Sequence, residues 1–266
     1  MTITSHTAIG MVAAPMLVAI ASLIGKRWGV AAGGWFIALP LISGPIVLTY
    51  ALERGAAFAA QACLGALLAV VSLCAFALAY AWSARRVGWA GSSALACGAF
   101  LASSWALQQL RVPSIGWAFL VACAALAIAL RLMPPASSLV RGGRPAVWEL
   151  PVRIALAASL VWALAAISSA AGPRVSGLLT PFPITSLILV AFIHRHERVE
   201  AVSQYLRGLL KGLFSFAIFV IVVGVAIGSW TIAATFLVAT IATLAFHAGV
   251  WHWVQQQLSE PRIFSA

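Results

Sequence analysis

Apolar residues fill long stretches of this chain, and short segments rich in polar residues, glycine or proline separate them. We distinguish about nine apolar stretches of roughly 17 to 25 residues, and a helix of that length crosses about 30 Å of hydrocarbon. These predicted spans cover residues 8–25, 34–52, 57–82, 88–110, 115–133, 147–171, 177–193, 205–228 and 231–253. The pattern therefore predicts an all-α fold, a polytopic transmembrane helix bundle.

Two parts of the chain match when one is shifted by 143 positions, so that residues 17–111 overlie residues 160–254. The matched pairs include Gly29/Gly172, Gly34/Gly177, Pro40/Pro183, Ser43/Ser186, Gln61/Gln204, Gly65/Gly208 and Phe76/Phe219. We predict a first repeat of four spans over residues 1–114, a linking helix and cytoplasmic loop over 115–145, and a second repeat of four spans over 146–266. Chance matching of segments rich in Leu, Ala and Val is the alternative explanation.

The number of spans between matched positions predicts how the repeats are oriented. That number is odd, so the two repeats should be inverted with respect to the membrane. Paired, interrupted hydrophobic segments in two inverted halves are a sequence-level pointer to a transport site. The repeat therefore favours a carrier that works by alternating access.

Composition and charge strengthen the membrane assignment and add a topology. The chain is 63% hydrophobic and 8% charged, whereas a soluble domain carries about a quarter charged residues. Of the 16 Lys and Arg, the predicted topology places only Arg54, Arg111 and Arg174 on one side. The positive-inside rule puts the other side in the cytoplasm, with the N-terminus outside and the C-terminus cytoplasmic. The net charge of +11 then indicates contact with anionic lipid, and we expect no nucleic-acid partner.

Glycine, proline and polar residues within the spans define the predicted substrate site. Glycine and proline weaken continuous helix, and the backbone groups they free need partners inside the protein. The predicted substrate-binding residues are Gly34, Pro40, Ser43, Gln61, Gly177, Thr180, Pro181, Pro183, Ser186, Gln204, Arg207 and His247. Three structural alternatives stay open: kinked helices that pack tightly, glutamines that join neighbouring helices by hydrogen bonds, and a packed histidine donor.

One segment of the second repeat carries a family resemblance. It contains Gly177, then Pro181-Phe182-Pro183, then His194-Arg195, and it ends in a motif that runs from Arg207 to Gly212. Over about residues 150–230 the chain resembles the GlpM-like group of small four-helix bacterial inner-membrane proteins, here as a fused inverted duplication. The resemblance implies an inner-membrane location and transport, but no established reaction. The first repeat departs from it, with Ala38-Leu39-Pro40 at the proline motif and no arginine matching Arg207.

Charged residues and cysteines limit the chemistry. The sequence contains no Asp, and its Glu residues fall at span ends or in loops, so we expect no buried carboxylate relay. Glu149 and Arg153 are four apart, which predicts a local ion pair. His196 and Glu200 would share a helix face, but two ligands are too few for a metal site and the intervening arginines repel cations. We expect a solvated cytoplasmic helix start there, cysteines that act as apolar side chains, no metal, no cofactor and no enzymatic activity.

The favoured hypothesis is an integral membrane carrier for a small solute or lipid. The basic bias favours an anionic or amphipathic substrate, which Arg54, Arg174 or Arg207 would meet at the mouths of the cavity. The alternative is a non-catalytic membrane assembly or accessory subunit, which would use small residues on lipid-facing helices such as Gly65 and Gly224. The expected partners are the lipid bilayer, a small-molecule or lipid substrate and further copies of the chain in a homo-oligomer. An intramembrane enzyme ranks last.

Overall fold

The computed structural model describes residues 5–110, 112–135, 148–179 and 182–259, and all regular structure in these ranges is helical. The helices are α1 (Ser5–Trp28), α2 (Val30–Ile37), α3 (Ser43–Arg54), α4 (Ala56–Ser83), α5 (Trp89–Gln108), α6 (Ile115–Leu132), α7 (Glu149–Leu179), α8 (Ile184–His196), α9 (Val199–Ala226) and α10 (Ile232–Ser259). The predicted all-α class is therefore confirmed.

Several of these helices suit a membrane. Five of the described helices, α4, α5, α6, α9 and the Ile232–Gly249 part of α10, are long and apolar enough to cross one. Their bounds agree with predicted spans three, four, five, eight and nine to within a few residues, apart from the start of α9 and the end of α10. The structure therefore agrees with a multi-pass membrane protein.

Predicted span two is interrupted, as its sequence indicates. It forms two helices, α2 and α3, and residues 38–42 between them are called the α2–α3 break below. Pro40 lies in this break, where it lacks an N–H donor and restricts the preceding residue. The break is closed by short-range bonds: the Leu39 amide donates to the Phe36 carbonyl (3.1 Å) and the Gly44 amide to the Pro40 carbonyl (2.8 Å).

The corresponding region of the second half differs from its prediction. We expected a boundary near residues 172–176, but α7 continues through them, and Gly177 lies inside this helix. Glycine and proline persist in membrane helices where neighbouring groups satisfy the freed backbone. The chain leaves the helical conformation only after Leu179, and Pro183 directly precedes α8. Thr180 and Pro181 lie outside the described residues.

Helix α9 forms the centre of the bundle, because it contacts α2, α4, α6, α8 and α10. It begins at Val199, six residues before the predicted start of its span. Its contact with α2 is close enough to require glycine. A Cβ at Gly208 would overlap the Ala31 carbonyl, and a Cβ at Gly212 would lie 2.6 Å from the Trp35 carbonyl oxygen. Small residues allow this backbone approach between membrane helices.

Several basic segments meet at one end of the bundle. The Trp82 indole donates to the Leu132 carbonyl (3.0 Å), which joins the last turns of α4 and α6. The Arg195 guanidinium lies 5.7 Å from the centre of the Trp89 ring, which joins the end of α8 to the start of α5. This arrangement agrees with the one-sided distribution of positive charge, whereas the orientation in the membrane stays a prediction.

Candidate functional site

The α2–α3 break packs on α9 along one side. Ala38 is buried, and a Cβ at Gly44 would contact the Phe219 ring at 3.4 Å. Pro40 and Ser43 are half-buried, whereas Leu41 points outward with 42% of its surface exposed. The irregular backbone is therefore partly covered by protein, which is a condition for its tolerance at membrane depth.

An aromatic and polar group lies next to the break: it consists of the half-buried Trp35 and the buried Ser215 and His247, and is called the Trp35 cluster below. The His247 imidazole stacks on the Trp35 indole with ring centres 3.5 Å apart and an angle of 15° between the planes. Its Nδ1 lies 2.9 Å from the Ser215 hydroxyl, and the tautomer decides which of them donates. The cluster joins α2, α9 and α10 three residues before the break begins.

The second nitrogen of His247 is available for further chemistry. His247 is 3% exposed, and its Nε2 has no hydrogen-bond partner among the described residues. A neutral imidazole nitrogen either donates or accepts a hydrogen bond, according to its tautomer. A solute with a hydroxyl, amide or acid group would satisfy this atom. The structure thus places His247 beside the interrupted helix.

The other predicted site residues of the second half lie around the start of α8 and on α9. Pro183 and Ser186 are buried, and so is Gln204. The Ser186 side chain lies beside the Tyr205 hydroxyl. Helix α2 separates this group from the Trp35 cluster, because Gly34 contacts the Tyr205 backbone while the adjacent Trp35 contacts His247.

Three predicted residues have other roles in the structure. Gln61 lies on the exposed face of α4, so the prediction that it faces the interior together with Gln204 is wrong for this conformation. Gly34 is enclosed by the backbone of α9 and provides close packing. Arg207 donates to the carbonyls at the end of α6, on Met133 (2.9 Å), Pro134 (3.2 Å) and Leu130 (3.3 Å).

Arg207 therefore caps a helix. The last carbonyls of a helix lack intrahelical partners, and a basic side chain near the C-terminus can satisfy them. Sequence could not show this role, because the helix that Arg207 caps lies about 75 positions earlier in the chain. Its guanidinium is thus already engaged, which weakens its predicted role as an anion ligand.

The histidines at the end of α8 contact other helices. Helix α8 ends at His196 and α9 begins at Val199, so His196 and Glu200 lie on different helices and do not share a helix face. The His196 Nδ1 lies 3.8 Å from a Glu149 carboxylate oxygen, and the His194 Nδ1 lies 3.5 Å from the Tyr80 hydroxyl. No group of three metal-ligating side chains occurs in the part of the chain that the structure describes.

Sequence reasoning missed Trp35, Ser215 and Tyr205 as site residues. Trp35 and Tyr205 directly follow residues with repeat equivalents, Gly34 and Gln204, and this adjacency was the one available signal. Ser215 overlies Ser72 at the same shift of 143 positions, but a serine within a membrane helix commonly bonds to a carbonyl of its own preceding turn. Only the packing of α10 on α9 shows its partner.

No family model matches the chain, and neither the curated proteins nor the solved structures contain a significant match. The resemblance to GlpM-like proteins therefore stays a prediction.

Proposed function

We propose that the protein is an integral membrane carrier that moves a small solute or lipid by alternating access between inverted repeats. The observation that carries this proposal is the interruption of a predicted span at Pro40, beside the Trp35 cluster, in which His247 and Ser215 are buried. Discontinuous membrane helices next to buried polar groups are typical of substrate sites in secondary transporters. The proposed site lies between helices of the bundle, where α2, α9 and α10 meet.

The packing of repeat-equivalent elements supports the inverted duplication. Pro40 lies in a helix break, and Pro183, its equivalent, lies at the start of α8 after the end of α7. The equivalent helices α4 and α9 contact each other, and the linking helix α6 contacts both. Contact between equivalent helices is compatible with a pseudo-two-fold axis that passes between them.

The charge distribution favours an anionic or amphipathic substrate. The basic ends of α1, α4, α6 and α8 would draw anions to the proposed cytoplasmic face, although salt screens this attraction. We propose that this face is cytoplasmic, in a bacterial inner membrane, and that the chain acts without a cofactor and without catalysis. A GlpM-like ancestry of the second half fits the same proposal.

An accessory or assembly subunit is the second candidate, because glycines remain on exposed helix surfaces. A Cβ at Gly65, Gly98 or Gly228 would meet no heavy atom within 4 Å. Gly224, which we expected on such a surface, is instead covered by Ile115 and Cys63. Open small-residue faces allow another membrane helix to pack closely, either from a partner or from a second copy of the chain.

Flux measurements test the carrier function. Liposomes containing the protein are loaded with radiolabelled organic anions and phosphate, or with fluorescent phospholipid, and release or scrambling is followed against empty liposomes. We expect flux that is lost when Pro40→Ala is combined with Pro183→Ala, while membrane insertion is retained. Absence of flux for every probe, together with a stable co-purifying partner, would support the accessory subunit instead.

Cysteine labelling tests the inversion separately. In a variant without Cys63, Cys74, Cys97 and Cys123, single cysteines replace Gly55 or its repeat equivalent Arg198, both of which are exposed. A membrane-impermeant thiol reagent should label Gly55→Cys from outside and Arg198→Cys from inside. Labelling of both positions from one side would remove the inverted repeat.

A further inference from the structure

Arg153 is a buried cation that the function proposed above does not yet use. It lies on α7 with 8% of its surface exposed, and its guanidinium donates to the Ser22 hydroxyl of α1 at 3.0 Å. The guanidinium carbon lies 4.8 Å from the centre of the Phe192 ring of α8. Buried charges in membrane proteins are costly, and they commonly mark substrate or ion sites.

Glu149 forms the ion pair that the sequence predicts. One carboxylate oxygen accepts a bond of 2.8 Å from the Arg153 guanidinium, and the other lies 3.8 Å from the His196 Nδ1. Glu149 thus stands between two partners, the Arg153 guanidinium and the His196 imidazole. His196 remains a partner for Glu149 when the Arg153 guanidinium binds another anion.

The guanidinium retains an unused donor. Arg153 Nε is buried, and it has no hydrogen-bond partner among the described residues. An unsatisfied donor away from water costs about 1–3 kcal/mol, so an arrangement that keeps one calls for an explanation. An oxyanion beside Nε would remove this cost.

Tyr205 presents a second buried donor, which interacts electrostatically with Arg153. It is 1% exposed and lies within electrostatic range of the Arg153 charge. Ser186 lies beside its hydroxyl, but within the described residues no partner makes a well-formed hydrogen bond with that hydroxyl. Arg153 Nε on α7 and the Tyr205 hydroxyl on α9 are therefore buried, electrostatically coupled and without a well-formed hydrogen bond among the described residues, which is the complement of an oxyanion.

We propose that Arg153 and Tyr205 bind an oxyanion, a carboxylate or a phosphate, and that Glu149 is the internal carboxylate that occupies Arg153 when the ligand is absent. On binding, the ligand oxygens accept from Arg153 and Tyr205, and Glu149 shifts toward His196. This inference deepens the carrier function and rests on it, because it names oxyanions as the substrate class. It replaces the predicted anion contact at Arg207, which caps α6.

Binding is measured as thermal stabilisation of the whole protein in detergent, followed by tryptophan fluorescence. The probes are inorganic phosphate and acetate, titrated at constant ionic strength against chloride. For the wild type, we expect the unfolding temperature to rise with either probe and not with chloride. Arg153→Gln should abolish the rise, and Tyr205→Phe should weaken probe binding several-fold.

Glu149→Gln gives the most diagnostic result. Loss of the competing charge should tighten probe binding by about tenfold, because the probe no longer has to displace the Glu149 carboxylate from its charge-assisted bond with Arg153. A purely structural ion pair would give the opposite result, a less stable protein without a gain in binding. Arg207→Gln is the matched control: it removes another partly buried guanidinium, which caps α6, and should leave the probe response intact.

The source of the oxyanion is resolved in nanodiscs. A response to soluble phosphate or acetate in phosphatidylcholine discs assigns a free solute, and stabilisation by phosphatidylglycerol alone assigns a lipid headgroup. Either response, lost in Arg153→Gln, supports the site. No response in any medium, or one that Arg153→Gln retains, overturns it. If Arg153→Gln fails to fold, an unchanged affinity in both Glu149→Gln and Tyr205→Phe overturns it equally.

Binding and transport can fail independently. Probe binding without flux would leave the oxyanion site in place and would remove the carrier function. Flux of an uncharged probe, together with no oxyanion binding, would retain the carrier and remove this site.

Discussion

Helices α4 and α9 occupy equivalent positions in the two predicted repeats but have different surroundings. A Cβ at Gly65 on α4 would meet nothing within 4 Å, whereas a Cβ at Gly208 on α9 would overlap the α2 backbone. Gln61 is exposed, whereas Gln204 is buried. A third matched pair, Phe76 and Phe219, is buried on both helices.

The difference shows that matched residues do not imply matched roles. Helix α9 is enclosed by α2, α4, α6, α8 and α10, so its polar residues lie among protein groups. Helix α4 leaves the face that carries Gln61 and Gly65 uncovered. We conclude that the second half provides most of the interior polar groups, and the following variants test that asymmetry.

The largest effect is expected at the glycine pair. Gly208→Val should separate α2 from α9, because its Cβ would overlap the Ala31 carbonyl, which cannot rotate away. Overpacking costs about 1–3 kcal/mol, and more where backbone is the obstacle, so we expect loss of monodisperse folded protein. Gly65→Val is the control and should purify normally. Equal behaviour of the two variants would contradict the asymmetry.

The phenylalanine pair should behave alike. Phe219→Ala and Phe76→Ala each leave a cavity in the bundle, and we expect each to lower the free energy of unfolding by about 3 kcal/mol. Denaturation in mixed detergent micelles measures both. The two residues contact different aromatic rings, Phe236 and Tyr80 respectively. If only one of the two variants lost little unfolding free energy, the asymmetry between α4 and α9 would extend to the core.

Arg207→Gln should give an intermediate loss. The α6 carbonyls on Leu130, Met133 and Pro134 would lose their charged donor, at a cost of about 1–3 kcal/mol in unfolding free energy. Arg198→Gln is the control: it removes an exposed basic residue, and it should change the free energy of unfolding by less than about 0.5 kcal/mol. Equal stability of the two variants would show that the cap contributes little.

The smallest difference is expected for the glutamines. Gln204→Leu removes a buried side chain with an existing contact, and hydrogen bonds between membrane helices average about 0.6 kcal/mol. Gln61→Leu lies on an exposed face and should be neutral or slightly stabilising in lipid. The same denaturation assay compares them, and a larger loss for Gln61→Leu would point to a partner helix that covers α4.

Features that depend on local chemistry were accessible from the sequence. The apolar stretches predicted helices, since membrane length and backbone hydrogen bonding leave few other solutions. Pro40 predicted the α2–α3 break because proline lacks the donor that continuous helix needs. The four-residue spacing of Glu149 and Arg153 predicted their ion pair. The boundary near residues 172–176 was wrong, since breakers alone do not end a helix that neighbours support.

Features that depend on distant contacts were decided by the tertiary structure. The sequence by itself determined an all-helical, strongly apolar chain with an interruption at Pro40 and positive charge gathered in certain loops. It did not determine that His247 would stack on Trp35 or that Arg207 would cap α6. The physical reason is that apolar helices of similar composition can pack in many ways. Close contacts at a few glycines, above all Gly208, select one arrangement and so decide which polar groups meet.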